Sequence, residues 1–237
     1  MKNKRAEQIA AKQRHKEHLR ASRRAEPEIA RPAPELSVIP SILIVCEGMN
    51  TEPSYFNQFR LSAATVTPVG TGSNNVSLVK KAAQLKKDGK FDQVWCVFDA
   101  DPKPDNPKQA QNFNAAIALA EKYKFGIAYS NQAFEYWLIL HLEDHQGGGM
   151  HRSLYNKKIN KLLKPLGVQY DGNGSKIVSE ELFNVLDGID DKFGARRINL
   201  AIKRASRNYN HFDHANPAKE ESSTTVFKLV EELLKYV

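Results

Sequence analysis

The sequence predicts an α/β fold built on a mostly parallel four-stranded sheet flanked by helices, and three observations carry that expectation. Two short apolar runs, Ile42-Leu43-Ile44-Val45-Cys46 and Val94-Trp95-Cys96-Val97-Phe98, stop abruptly in acids, at Glu47 and at Asp99-Ala100-Asp101. Strand-like and helix-like segments alternate between them and onward, in the βαβ order that requires right-handed crossovers and a sheet covered on both faces. Beyond Gly147-Gly148-Gly149 the pattern changes and reads as helical. Carboxylates at the C-terminal ends of buried strands are how an open α/β sheet holds a divalent cation, so the same runs point to a metal-dependent enzyme.

The first strand is expected over residues 41 to 46, and Pro53 at a first helical turn opens a helix through Phe56, Phe59 and Leu61. Residues 64 to 69 form a weaker strand, which Pro68 assigns to a strand end or a sheet edge. The turn at residues 70 to 75 contains two glycines but matches no complete phosphate-loop signature, so it reads as a plain loop before a helix. That helix spans 75 to 88 and exposes Lys80, Lys81, Lys86 and Lys87. The third strand is the run from Val94 to Phe98, followed by a proline-braced loop and an alanine-rich helix over 108 to 124. A fourth strand covers 126 to 130, with Asn131 expected to cap a helix carrying Phe134, Trp137, Leu138, Leu140 and Leu142.

Residues 151 to 237 show no convincing strand. Helices are expected at about 151 to 164, at 179 to 187 with a continuation through Lys203, and at 222 to 236, where Val226, Leu229, Val230, Leu233 and Leu234 make one apolar face for the core. The division expected is a basic arm over 1–38, an α/β catalytic domain over 39–146, and a helical region over 147–237 packed on it.

At 237 residues and 41% hydrophobic content the chain can bury a full core. No run approaches the roughly 18 apolar residues of a bilayer span, and the basic N-terminus has no apolar signal segment, so a cytoplasmic location is expected. Cys46 and Cys96 each fall inside a strand and read as small core hydrophobes. The formal charge of +8 is concentrated: residues 1 to 34 hold ten Lys or Arg against four Asp or Glu, a net +6. With almost no large apolar residues, this segment reads as a frayed helix or disordered arm, serving phosphate contact or solubility.

The residues also carry a family resemblance. Val45-Cys46-Glu47-Gly48, Thr51-Glu52, Tyr55-Phe56, Asp99-Ala100-Asp101, Ser130-Asn131, Phe134-Glu135-Tyr136-Trp137-Leu138, His141 and the later Ser223-Thr224-Thr225-Val226 resemble the RloB-like family. Its core is similar to Toprim domains, the metal-dependent catalytic fold of topoisomerases, primases and OLD-type nucleases. The resemblance implies a Toprim-like core in which Glu47 is a general acid or base or a ligand, and Asp99 and Asp101 hold Mg²⁺ or Mn²⁺. Glu52 supports them. It further implies a nuclease acting on RNA, tRNA or DNA as the effector of an anti-phage defence module, with an ATPase as controlling partner. A homo-oligomer is a further candidate assembly.

The physical chemistry of the residues agrees with that implication, since Mg²⁺ takes hard oxygen ligands, one or two of them carboxylates, with water and phosphate completing the shell. An isolated Glu-Gly or Asp-x-Asp is common at strand-to-loop turns, and only the combination is distinctive. Asp-Ala-Asp-Pro fits haloacid-dehalogenase phosphatases and glycosyltransferases less well. Glu135, beside Phe134 and Trp137, is costly unless paired or metal-linked, which makes it a third catalytic candidate. His141, His145 and His151 lack the firm ligand set of a zinc site. Lys203, Arg204, Arg207 and His211 are the candidate nucleic-acid contacts, with His214 beside them. A scaffold that binds nucleic acid or an ATPase without chemistry is the alternative, disfavoured because it has no use for mutually repelling acids.

Overall fold

The computed structural model describes residues 2–24, 39–68, 74–102, 106–146 and 148–237. The expected glycine turn at 70–73, the centre of the proline-braced loop and Pro32-Ala33-Pro34 lie outside the described residues. The chain divides into two compact units, Met1–Val38 and Ile39–Val237. The first contains helix α1 (Lys2–Arg24), the helical one of the two forms expected for the basic arm.

The second unit is built on a parallel four-stranded sheet of β1 (Ile42–Cys46), β2 (Ala64–Pro68), β3 (Gln93–Asp99) and β4 (Gly126–Ser130), in the order β2-β1-β3-β4. β1 is buried at every position because both faces of the sheet are covered, which is why its sequence is uninterrupted apolar rather than alternating. Ile42, Ile44 and Cys46 face one core layer, Leu43 and Val45 the other. Cys46 and Cys96 therefore lie on opposite faces of the sheet, both as free thiols, and act as core hydrophobes. Pro68 ends β2 at the sheet edge, where its missing N–H costs nothing.

Helix α2 (Thr51–Asn57) follows β1, α3 (Asn75–Asp88) follows β2, α4 (Pro107–Lys122) follows β3 and α5 (Glu135–Leu142) follows β4. α2 is shorter than expected: Phe59 and Leu61 lie past its end, and Arg60, at φ +54°, turns the chain out of the helix. Asn131 does not cap α5. Its side chain donates to the Pro217 carbonyl instead, and the carboxylate of Asp99 accepts from the Phe134 N–H at the head of the helix.

The C-terminal region supplies α6 (Tyr155–Leu163), α7 (Glu180–Asp187), α8 (Arg197–Tyr209) and α9 (Val226–Leu233). These helices share one core layer with Tyr55, Phe134 and Trp137, so residues on both sides of the glycine run build the same interior. Two expectations are corrected here. The helix through 179–203 is interrupted by a hairpin of β5 (Ile189–Asp190) and β6 (Ala195–Arg196), turned by Gly194 at φ +60°, a conformation cheap only for glycine. Residues 222–225 are not helical: Thr224 bridges Ser130, the Thr225 N–H donates to Tyr129 O, and this segment closes the edge of β4.

Candidate active site

The chain runs from β1 to β2 on one side, then crosses back to place β3 on the other side of β1. The switch point thus falls between β1 and β3, and open α/β sheets bind ligands outside the carboxyl ends of the strands there. A cleft of about 970 Å³ lies at that place, lined by Glu47, Glu52, Asp99, Asp101 and Glu135 among others.

Each acid arrives by a different local device. Glu47 is the first residue past β1; its N–H still donates to Val97 O, and its Oε2 accepts from the Asp99 N–H at 3.1 Å. Glu52 stands in the first turn of α2, buried, with Oε1 accepting from the Gly48 N–H at 3.2 Å. Gly48 makes room for this: a Cβ there would run into the Glu52 carboxylate and displace it. Asp99 ends β3 and accepts from the Phe134 N–H at 3.1 Å, while its own carbonyl accepts from Asn75 Nδ2 at 2.8 Å. Asp101 occupies the left-handed region at φ +39°, tolerable for a short polar side chain, and pairs with Arg152. Glu135 opens α5 and accepts from the Tyr170 hydroxyl at 3.0 Å; the same hydroxyl stands 3.0 Å from Thr51 Oγ1.

Crowded carboxylates with little water resist ionisation. Burial, followed by the charges of Glu135 and Glu47, pushes Glu52 up to about 7. Burial and the charges of Glu52, Glu135 and Glu47 hold Asp99 well above the usual carboxylate range, against the pull of Arg152. Glu47 is raised as well, mainly by burial and then by Asp101, with the Asp99 N–H and Arg152 opposing.

Hard oxygen donors that repel one another fit a small divalent cation, which relieves that repulsion. No three His, Cys, Asp or Glu side chains among the described residues already stand in metal-ligand geometry. Each acid is held by an N–H, a hydroxyl or the Arg152 guanidinium. Carboxylate oxygens accept more than one partner, so the backbone bonds position Glu47 and Asp99 without exhausting them.

The structure therefore brings together Glu47, Glu52, Asp99, Asp101 and Glu135. It does not bring Lys203, Arg204, Arg207 and His211 to them: none of these four lines the cleft. Arg204 is buried, and its Nη1 donates to Leu140 O at 2.8 Å and His141 O at 3.3 Å, closing the C-terminal end of α5. The expectation of a phosphate contact at Arg204 is corrected on that ground. Arg207 forms a forked pair with Asp144, and with Lys203 and His211 it lines a separate shallow groove beside Glu231. His214 pairs with Glu220 and stacks on Tyr209. His141 is a core residue, its Nδ1 2.8 Å from Leu186 O and its Nε2 3.2 Å from the Tyr55 hydroxyl.

Arg152 and Tyr170 are the site residues that sequence reasoning missed. Lys108, Lys176 and the neutral Asn75 also line the cleft, so its lining includes cations as well as acids. Among the described residues, no helix is long and apolar enough to cross a membrane. A family model described as RloB-like protein matches residues 42–233, a span that takes in every one of these groups. No curated protein and no solved structure matches the chain.

Proposed function

The chain belongs to the RloB-like family, and from that premise and the acidic cleft we propose that it is a divalent-metal-dependent nuclease cleaving phosphodiesters in RNA, tRNA or DNA. One observation supports this above the others. Acids from the ends of β1 and β3 and from the starts of α2 and α5 meet at the switch point of the sheet, where burial first and the neighbouring carboxylates second raise the pKa values of Glu52 and Asp99.

Glu47, Asp99 and Asp101 are the groups that would hold Mg²⁺ or Mn²⁺, an ion that neutralises phosphate charge and makes water or a hydroxyl a stronger nucleophile. The rest is done by the chain. Glu52, with a pKa near 7, is suited to take and return a proton at neutral pH. Tyr170, whose hydroxyl also stands 3.0 Å from Thr51 Oγ1, donates to Glu135 Oε1 and anchors that carboxylate. Arg152, with Lys108 and Lys176 on the lining, offers the positive charge that a phosphate needs on approach. A cytoplasmic effector of anti-phage defence, held in check by a partner ATPase, is the setting this reading places it in.

A second reading is favoured by one contact. The Asp101–Arg152 pair satisfies a would-be ligand internally, as expected of a Toprim-like scaffold that binds nucleic acid or an ATPase without chemistry. The two readings separate when purified protein is incubated with RNA, tRNA and DNA, with and without Mg²⁺ or Mn²⁺. Cleavage that needs the metal and is lost in the Asp99→Ala, Asp101→Ala variant supports the nuclease. Inertness under every condition, with the ATPase added, favours the scaffold.

A further inference from the structure

Helix α1 takes no part in the chemistry proposed above, and its surface has an order of its own. Its 23 residues carry nine Lys or Arg and two Glu. Every residue from Ala6 to Arg20 is exposed except Ala10, which is half-buried, so no face of this stretch is committed to a core. At 3.6 residues per turn, Lys12, Lys16 and Arg20 fall in an arc of about 80°. Glu7 and Glu17 fall outside that arc. Lys12, Lys16 and Arg20 are successive members of one i, i+4 row, an arrangement in which like charges repel and destabilise a helix without an anion beside it.

We infer that α1 is a nucleic-acid-binding arm whose Lys12, Lys16 and Arg20 row tracks the phosphates of a strand. Its partner is a polyanion with regularly spaced charge. A lipid surface fits less well, because an interfacial helix needs a continuous apolar face and α1 has only Ile9 and Leu19 as large apolar residues. The inference supplies a binding element to the proposed nuclease and rests on that reading for its use. Binding does not need the metal, however, so an inactive protein and a non-binding one are distinguishable.

The test measures the affinity of the full chain for labelled RNA and DNA duplexes of equal length in chelator, across a salt series. The Lys12→Glu, Lys16→Glu, Arg20→Glu variant is compared with a charge-matched Lys80→Glu, Lys87→Glu, Lys90→Glu variant on and beyond α3. The expected result is a loss of at least about tenfold in the α1 variant and a salt slope shallower by about 3, from three lost phosphate contacts. The control should lose less than about threefold, and RNA and DNA should bind alike, because phosphate contacts carry no base identity. Equal losses in both variants, no loss in the α1 variant, or a loss on phosphatidylserine vesicles alone would overturn it.

Discussion

Glu47 Oε2 accepts a 3.1 Å hydrogen bond from the backbone N–H of Asp99, across 52 residues of sequence. The bond ties the end of β1 to the end of β3 and fixes the distance between the two acids on which the proposed chemistry depends. Separately, Gly48 and Glu52 are coupled, because the Gly48 N–H donates to the Glu52 carboxylate and a Cβ at Gly48 would meet it.

Gly48→Ala is expected to displace the Glu52 carboxylate while leaving the sheet intact. Displacements of this size in a site cost up to about a hundredfold in rate. Metal-dependent cleavage should fall at least about tenfold with thermal stability nearly unchanged; wild-type cleavage would show that the position of Glu52 is unimportant.

Glu52→Gln should stabilise the metal-free protein at neutral pH. The folded chain keeps Glu52 protonated up to about 7, whereas the unfolded chain ionises it near 4.5. Its contribution is therefore complete below 4.5 and lost as pH rises to 7, a loss of up to about 3 kcal/mol at 1.4 kcal/mol per unit. Urea midpoints in chelator should match at pH 4 and diverge at pH 8, with the variant more stable; coincident midpoints at pH 8 would refute the assignment.

Much of this was legible in the chain. Glu47 and Asp99 could be found because each directly ends an apolar run, and a strand that must be buried on both faces leaves its acid only one place to go. Arg152 could not: its partner Asp101 is 51 residues away, and no local periodicity records that contact. The Tyr170 hydroxyl meets Thr51 across 119 residues, and the same limit applies. Arg204 was misread because a basic run at a helix end resembles a phosphate site. The signal against it was present, since Arg204 shares a helix face with Ile198, Ala201 and Ala205, all buried.

Arg204→Met should cost about 2–4 kcal/mol of stability, because the carbonyls of Leu140 and His141 lose their buried donor. Affinity for nucleic acid should not change. Chemical denaturation and a binding isotherm on the same preparation check both halves, and weakened binding at unchanged stability would restore Arg204 as a contact.

Arg152→Gln should tighten divalent-cation binding severalfold and slow cleavage. The substitution frees Asp101 from its guanidinium and deepens the negative potential of the cleft, while removing charge from the path of the phosphate. Calorimetry with Mn²⁺ beside a cleavage assay reads both effects; a rise in both affinity and rate would make Arg152 inhibitory only.

The central claim is that acids from two strands hold a single cation, and Mn²⁺ titration by calorimetry tests it most directly, on the parent, on Glu47→Gln and on Asp99→Asn. The account predicts one site per chain in the parent and a loss of affinity of at least about tenfold in each variant, since Mn²⁺ takes carboxylate ligands. Parent and variants binding Mn²⁺ equally, or none binding it, would contradict the claim.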